Sequence, residues 1–205
     1  MVAIIDYDAG NIKSVEKALR LLGADVVVTR DEEVLLSADH VVLPGVGAFA
    51  DAMNKLVRFN LVSVIEKIID NKTPFLGICL GLQLLFESSE EGVGVPGLGI
   101  LKGKIVRIPQ IEDLKVPHMG WNLLDINPKS RLLKGIDREP YTYFVHSYYL
   151  QAEDEDIVSS TVEYGVRIHA SIESENIFAC QFHPEKSSAV GLKILENFLH
   201  IRKEI

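Results

Sequence analysis

Between residues 2 and 88 the chain alternates short runs that are apolar at every position with longer amphipathic stretches. A strand wet on one face alternates polar and apolar side chains. A continuously apolar run such as VAII belongs instead to a strand covered on both faces, with the amphipathic stretches as its covering helices. The pattern predicts a parallel sheet. Its expected elements begin with a strand at Val2 to Ile5 and a helix from Lys13 to Leu22, with Val15, Ala18, Leu19 and Leu22 on one face and Gly23 at its stop. A strand from Asp25 to Thr29 follows, then a third from His40 to Leu43 running into PGVG. Two helices across Phe49 to Asp70 precede a fourth strand, Pro74 to Ile78.

Beyond Gly92 the texture changes to glycine-containing turns and β-rich runs, among them KGKIVRI, YTYFVHSYYL, DIVSSTVEYG and IFACQFH. Mostly antiparallel strands are expected there. A final helix from about Val190 to Ile201 packs back on the sheet. With no repeat, low-complexity tract or linker, residues 1–205 read as one α/β domain.

The composition, 47% hydrophobic and 24% charged over 205 residues, is that of a globular protein with one sizeable core. No apolar run approaches the ~20 residues of a membrane span, and MVAIIDYDAG lacks the basic start of a signal peptide, so a cytoplasmic protein is expected. A net charge of −8, without a Lys/Arg cluster beyond pairs, argues against nucleic acid as a partner. No residue set has metal-ligand spacing, and neither a metal nor a cofactor is expected.

Cys79 and Cys180 are the two cysteines, too few and too far apart for a disulfide scaffold or a CxxC site. Cys79 stands in GICLG, residues 77–81, at an expected strand-to-helix turn. Small residues two positions either side of a nucleophile permit a sharp bend that exposes its side chain, and a helix N-terminus favours the thiolate. Gln83, four residues on, shares that face. GxCxG alone leaves a buried structural thiol equally open. QFHPE, residues 181–185, supplies the missing base. On an extended segment His183 and Glu185 project to one side, as base and orienter, while Cys180 and Phe182 face away. Cys180 therefore reads as core and Cys79 as the nucleophile.

An oxyanion formed at Cys79 needs donors. The Leu80 N–H is one, and LPGVGAF offers a second near Val46, because Gly45 and Gly47 let the backbone approach a ligand or take positive φ.

GxCxGxQ at 77–83, PGVG at 44–47 and HPE at 183–185 together resemble the class I, triad-type glutamine amidotransferases. YDAGNIKS (7–14), VPHMGWN (116–122), YFVHSYY (143–149) and QFHPEKS (181–187) are similar to the branch of that family serving histidine biosynthesis. The resemblance implies a flavodoxin-like fold and a Cys79-His183-Glu185 triad that releases ammonia from glutamine. It also implies a (β/α)8-barrel cyclase partner, forming a heterodimer, that uses the ammonia to make imidazole glycerol phosphate and AICAR. Gly45, Gly47, Leu80, Gln83, Ser147 and Tyr148 would hold glutamine, the last two largely through backbone groups. Trp121 and Lys186 would lie at the partner interface, with an ordinary core tryptophan as the competing reading of Trp121. His118 and His146 read as satisfied structural histidines without a catalytic role. A flip of the Gly45–Val46 peptide, tolerable at a glycine, would account for activation by the partner. The nearest alternative is the glutaminase component of an anthranilate or aminodeoxychorismate synthase, against which VPHMGWN argues.

Overall fold

The computed structural model describes residues 1–136 and 139–203. Its first half comprises β1 (Val2–Ile5), α1 (Ile12–Leu21), β2 (Val26–Thr29), α2 (Glu32–Ser37), β3 (His40–Gly45), α3 (Phe49–Arg58), α4 (Leu61–Asp70), β4 (Phe75–Cys79) and α5 (Leu80–Leu84). The second half comprises β5 (Ser88–Ser89), β6 (Gly103–Arg107), β7 (His118–Leu123), β8 (Asp125–Ile126), β9 (Tyr141–His146), β10 (Tyr148–Ala152), β11 (Val158–Glu163), β12 (Arg167–Ser174), β13 (Ile177–Cys180) and α6 (Ser188–His200).

The main sheet runs in the order β2-β1-β3-β4-β13-β12-β10-β6-β5. From β2 to β13 every neighbour is parallel. From β13 to β6 every neighbour is antiparallel. The strands β11 and β8 attach beside β12, and β7 pairs with β9 in a separate antiparallel ribbon. The expected parallel first half and mostly antiparallel second half are therefore present, the exceptions being β13 beside β4 and the short β5–β6 pair, both parallel.

Alternate residues of the parallel strands feed two cores, one on each face. Ile4, Val42, Leu76 and Ile78 pack with α1 and α6, whereas Ile5, Val41, Leu43 and Phe75 pack with α3 and α4. This is why the runs are apolar at every position: each side chain meets a helix whichever way it points. Strand β4 lies between β3 and β13 with all five residues buried, so its C-terminal end emerges at the middle of the sheet. In parallel sheets that end is where ligands bind.

Helix α2 is absent from the sequence-based expectation. Its signal is the Asp31 cap, whose carboxylate accepts the Val34 N–H at 3.0 Å, followed by Glu32 and Glu33 in the first turn. The two expected helices after PGVG are α3 and α4, separated by Asn60 in the left-handed region at φ 57°. Among the described residues no helix is long and apolar enough to cross a membrane.

Candidate active site

Strand β4 ends at Cys79 and α5 starts at the next residue, leaving Cys79 at φ 55°, ψ −107°. Such a backbone is strained for any residue with a Cβ and persists only where its surroundings enforce it. The flanking glycines are needed for space. A Cβ on Gly77 would lie 2.8 Å from the Gly81 carbonyl oxygen, and one on Gly81 only 1.9 Å from that of Leu43. Neither glycine has positive φ among the backbone outliers; the strain of the bend sits on the cysteine itself. The GxCxG spacing thus lets strand, helix and β3 approach more closely than side chains would permit.

His183 is buried beside the elbow, and its Nδ1 lies 2.8 Å from Glu185 Oε1. The pairing does not come from the alternation of an extended strand, as the sequence reading had it. Only His183 is extended (φ −100°, ψ 97°); Pro184–Lys186 is a 3₁₀ turn that folds the Glu185 side chain back onto the ring. Gly191 makes room for this turn, since a Cβ there would meet the Pro184 carbonyl oxygen at 1.8 Å.

Burial disfavours a charged His183 ring, but hydrogen bonding toward Cys79 and Glu185, with the negative charge of both, outweighs it and lifts its pKa to about 9. Its buried Nε2 has no partner at ordinary hydrogen-bond geometry among the described residues. That nitrogen is the one available for proton transfer. Cys180 lies in the apolar core, where burial first, and then the charges of Glu185 and Cys79, push its thiol pKa well up, as befits an inert residue.

Two residues of this constellation escaped the sequence reading. Asn11 Nδ2 donates to Glu185 Oε1 at 2.6 Å from the loop before α1. Gln181 Nε2 lies 3.6 Å from Cys79 Sγ, and its Oε1 accepts from Gln83 Nε2 at 3.0 Å. Gln181 has the same parity as His183, a signal that was open to use. Asn11 gave only its place in YDAGNIKS.

A cleft of about 320 Å³ opens over Cys79, lined by Val46, Gly47, Leu80, Gln83, Ser147 and Tyr148 together with Glu91, Val145, His146 and His183. Gly45 is not in the lining. It is the register partner of Cys79 on β3, and a Cβ there would collide with the Tyr7 hydroxyl at 2.5 Å and Leu80 Cβ at 2.9 Å. A Gly45→Pro substitution would therefore disturb packing as well as any peptide flip. Gly47 does take positive φ, 98°, and the buried Tyr7 hydroxyl donates to the Pro44 carbonyl at 2.8 Å, pinning the loop's start while Val46 stays exposed. Glu91 Oε2 accepts the Phe49 N–H at 2.9 Å, at the start of α3.

Trp121 and Lys186 lie outside the cleft. Trp121 is 53% exposed, and its neighbours on the same ribbon face, Met119 at 63% and Leu123 at 44%, are exposed too, which rules out the core reading of this tryptophan. The ribbon is tied to the segment from His183 to Ser187: His183 N–H donates to the Tyr143 carbonyl at 2.9 Å, and Ser187 Oγ accepts from Tyr143 N–H at 3.0 Å while donating to the His183 carbonyl.

Residues 3–201 match the family described as glutamine amidotransferase class-I. The chain is 52% identical to the imidazole glycerol phosphate synthase subunit HisH of Thermosynechococcus vestitus, over 99% of this chain and 98% of that one. With the subunit of the same name from Methanocaldococcus jannaschii it shares 48% identity over 98% of this chain and all of the other. Among solved structures, a crystal structure of a glutamine amidotransferase superposes with a TM-score of 0.76 at 17% identity, covering 97% of each chain. The glutaminase domain of Trypanosoma brucei CTPS gives 0.66 at 15% identity, covering 100% of this chain and 95% of that one.

Proposed function

The chain belongs to the class I glutamine amidotransferase family, on the branch of the imidazole glycerol phosphate synthase HisH subunits, and from that premise we propose that Cys79, His183 and Glu185 hydrolyse glutamine to glutamate and ammonia. The observation that carries the reading is the buried His183–Glu185 hydrogen bond beside a strained cysteine in one cleft.

The Cys79 thiolate attacks the side-chain amide carbon of glutamine, and the carbonyl π electrons move to oxygen. The amides of Leu80 and Val46 are the candidate donors for that oxyanion; the Leu80 N–H opens α5 and has no intrahelical acceptor. His183 passes a proton to the nitrogen as the C–N bond breaks, so ammonia leaves and a thioester remains. Water then attacks the thioester carbon, giving its proton to His183, and glutamate departs as the thiolate re-forms. Glu185 keeps Nδ1 protonated and Nε2 directed at the chemistry throughout.

The cleft also suits the rest of the substrate. Glu91 has one oxygen committed to Phe49 and is, among the described residues, the only carboxylate in the lining, complementary to the α-ammonium of glutamine. Gln83, held by Gln181 and the Tyr148 carbonyl, presents its side-chain oxygen as an acceptor.

Ammonia is protonated and diluted once it reaches water, so a synthase partner must receive it close by. The exposed Met119-Trp121-Leu123 face, with the Lys186 ammonium exposed on the turn after His183, is a surface for a (β/α)8-barrel cyclase subunit. Glutamate release should be measured with this chain alone, then with the cyclase subunit and a nucleotide ligand analogue, using Cys79→Ala as control. Strong stimulation that vanishes in the variant is expected. Full activity without a partner would move the protein toward a stand-alone glutaminase or a sister synthase component.

A further inference from the structure

His118 and His146 are register partners at the end of the β7–β9 ribbon, and both are buried. Their ring nitrogens form a chain whose direction is fixed by its ends. His146 Nδ1 lies 2.8 Å from the Tyr148 carbonyl oxygen, which can only accept, so Nδ1 carries the proton. Its Nε2 must then accept, and His118 Nδ1, 3.0 Å away, must donate. His118 Nε2 is left to accept from the Asn122 amide nitrogen at 3.3 Å, an atom oriented by its donation to the Glu163 carbonyl at 3.0 Å. All four ring nitrogens are used with both rings neutral, in the Nδ1–H form. Burial favours that state. It lowers His118 to about 4 and His146 to about 3, the latter against the pull of the Tyr148 carbonyl.

The chain continues into the cleft. The Tyr148 carbonyl takes a second hydrogen bond from Gln83 Nε2 at 3.2 Å, whose other hydrogen goes to Gln181, the residue beside Cys79. Packing alone does not call for imidazoles here. His118 stacks on Phe144 with centroids 4.7 Å apart and on Tyr164 at 3.9 Å, a slot that a phenylalanine would fill. What phenylalanine cannot do is donate a directed hydrogen bond, and burying two imidazoles in place of hydrocarbon costs desolvation.

We propose that His118 and His146 are positioning residues, an uncharged relay that holds the Tyr148 carbonyl and, through it, the Gln83 amide in the orientation that accepts glutamine. The proposal rests on reading the cleft as a glutamine site. It also gives the ribbon, whose opposite face is exposed, a rigid connection to the substrate pocket.

The test compares labelling of Cys79 in the full chain by the chloroketone analogue of glutamine and by iodoacetamide, which lacks the α-amino acid group. His118→Phe keeps the stack without the donor, and His118→Asn keeps an N–H near the Nδ1 position without the stack. Labelling by the glutamine analogue should slow roughly tenfold in His118→Phe, the loss expected for one buried hydrogen bond, and recover in His118→Asn, with iodoacetamide unaffected. A purely packing role predicts the reverse order, with His118→Asn the worse variant, and that order would overturn the relay. Nitrogen NMR on the unmodified chain is independent of any variant's folding: both rings should be neutral Nδ1–H tautomers at neutral pH, and an Nε2–H form of either would overturn the relay. Wild-type chain that shows no preference for the glutamine analogue would instead overturn the glutamine reading, and the relay's purpose with it.

Discussion

Asn11 donates from Nδ2 to the same oxygen of Glu185, Oε1, that accepts the His183 Nδ1 proton, at 2.6 Å across 174 residues of sequence. The orienting carboxylate is therefore itself oriented by a loop from the other end of the chain. Asn11 sits in the left-handed region at φ 67°, which asparagine tolerates better than most residues, so the side chain and the backbone here serve one geometry.

Asn11→Gly keeps the backbone conformation and removes only the amide. A hydrogen bond to a charged group contributes about 1.5–3 kcal/mol, so kcat for glutamine hydrolysis should fall roughly ten- to hundredfold. Steady-state kinetics with the partner present checks this, and a variant with wild-type kcat would remove Asn11 from the constellation.

The raised pKa of His183 sets the sign of a pH effect. A folded-state value near 9, above the ordinary 6.5, means the native protein binds this proton more tightly than the unfolded chain. The pairing stabilises fully below 6.5, and its contribution is lost as pH rises through about 9. Glu185→Gln should lower the His183 pKa. Urea denaturation across pH should show the stability advantage of the wild type over Glu185→Gln narrowing above pH 9; an advantage that widens there contradicts the assignment.

Gly81→Ala places a methyl 1.9 Å from the Leu43 carbonyl oxygen, against backbone rather than a yielding side chain. Overpacking of this kind costs about 3 kcal/mol. Denaturant melts should show a loss of that order, with reduced reactivity of Cys79 as the elbow opens.

Removal of the Glu91 charge tests the α-ammonium contact. Glu91→Gln retains an acceptor for the Phe49 N–H, so the fold should be little changed, while KM for glutamine should rise about tenfold, as for one charge-assisted hydrogen bond, with kcat largely kept. Equal losses in kcat and kcat/KM would assign Glu91 a different role.

Trp121 packs edge-on against Tyr143 with ring centroids 6.1 Å apart and leaves about half of its surface exposed. Trp121→Ala should leave folding stability within about 0.5 kcal/mol yet weaken cyclase binding by about 2 kcal/mol, the signature of an interface anchor. Calorimetric titration of the two subunits reads the second number directly.

Much of this protein could be read without coordinates because the information is local. Continuous apolar runs mean strands covered on both faces, and GxCxG means a bend where backbones nearly touch. The class and the sheet's division into a parallel half and a mostly antiparallel half follow from those patterns, which also single out Cys79 and, with HPE, His183 as the proposed nucleophile and base. Helix α2 was missed for lack of a long period, although its Asp31 cap was visible.

Other features belong to the tertiary structure alone, because they arise where distant segments meet and no spacing encodes them. The fold brings Asn11 to Glu185, and the 3₁₀ turn rather than strand parity brings Glu185 to His183. Glu91 enters the cleft from beyond α5, and two histidines become one directed chain because β7 and β9 pair in a single register. A hydrogen bond depends on angles and tenths of an ångström, and those are set only when the whole core has packed.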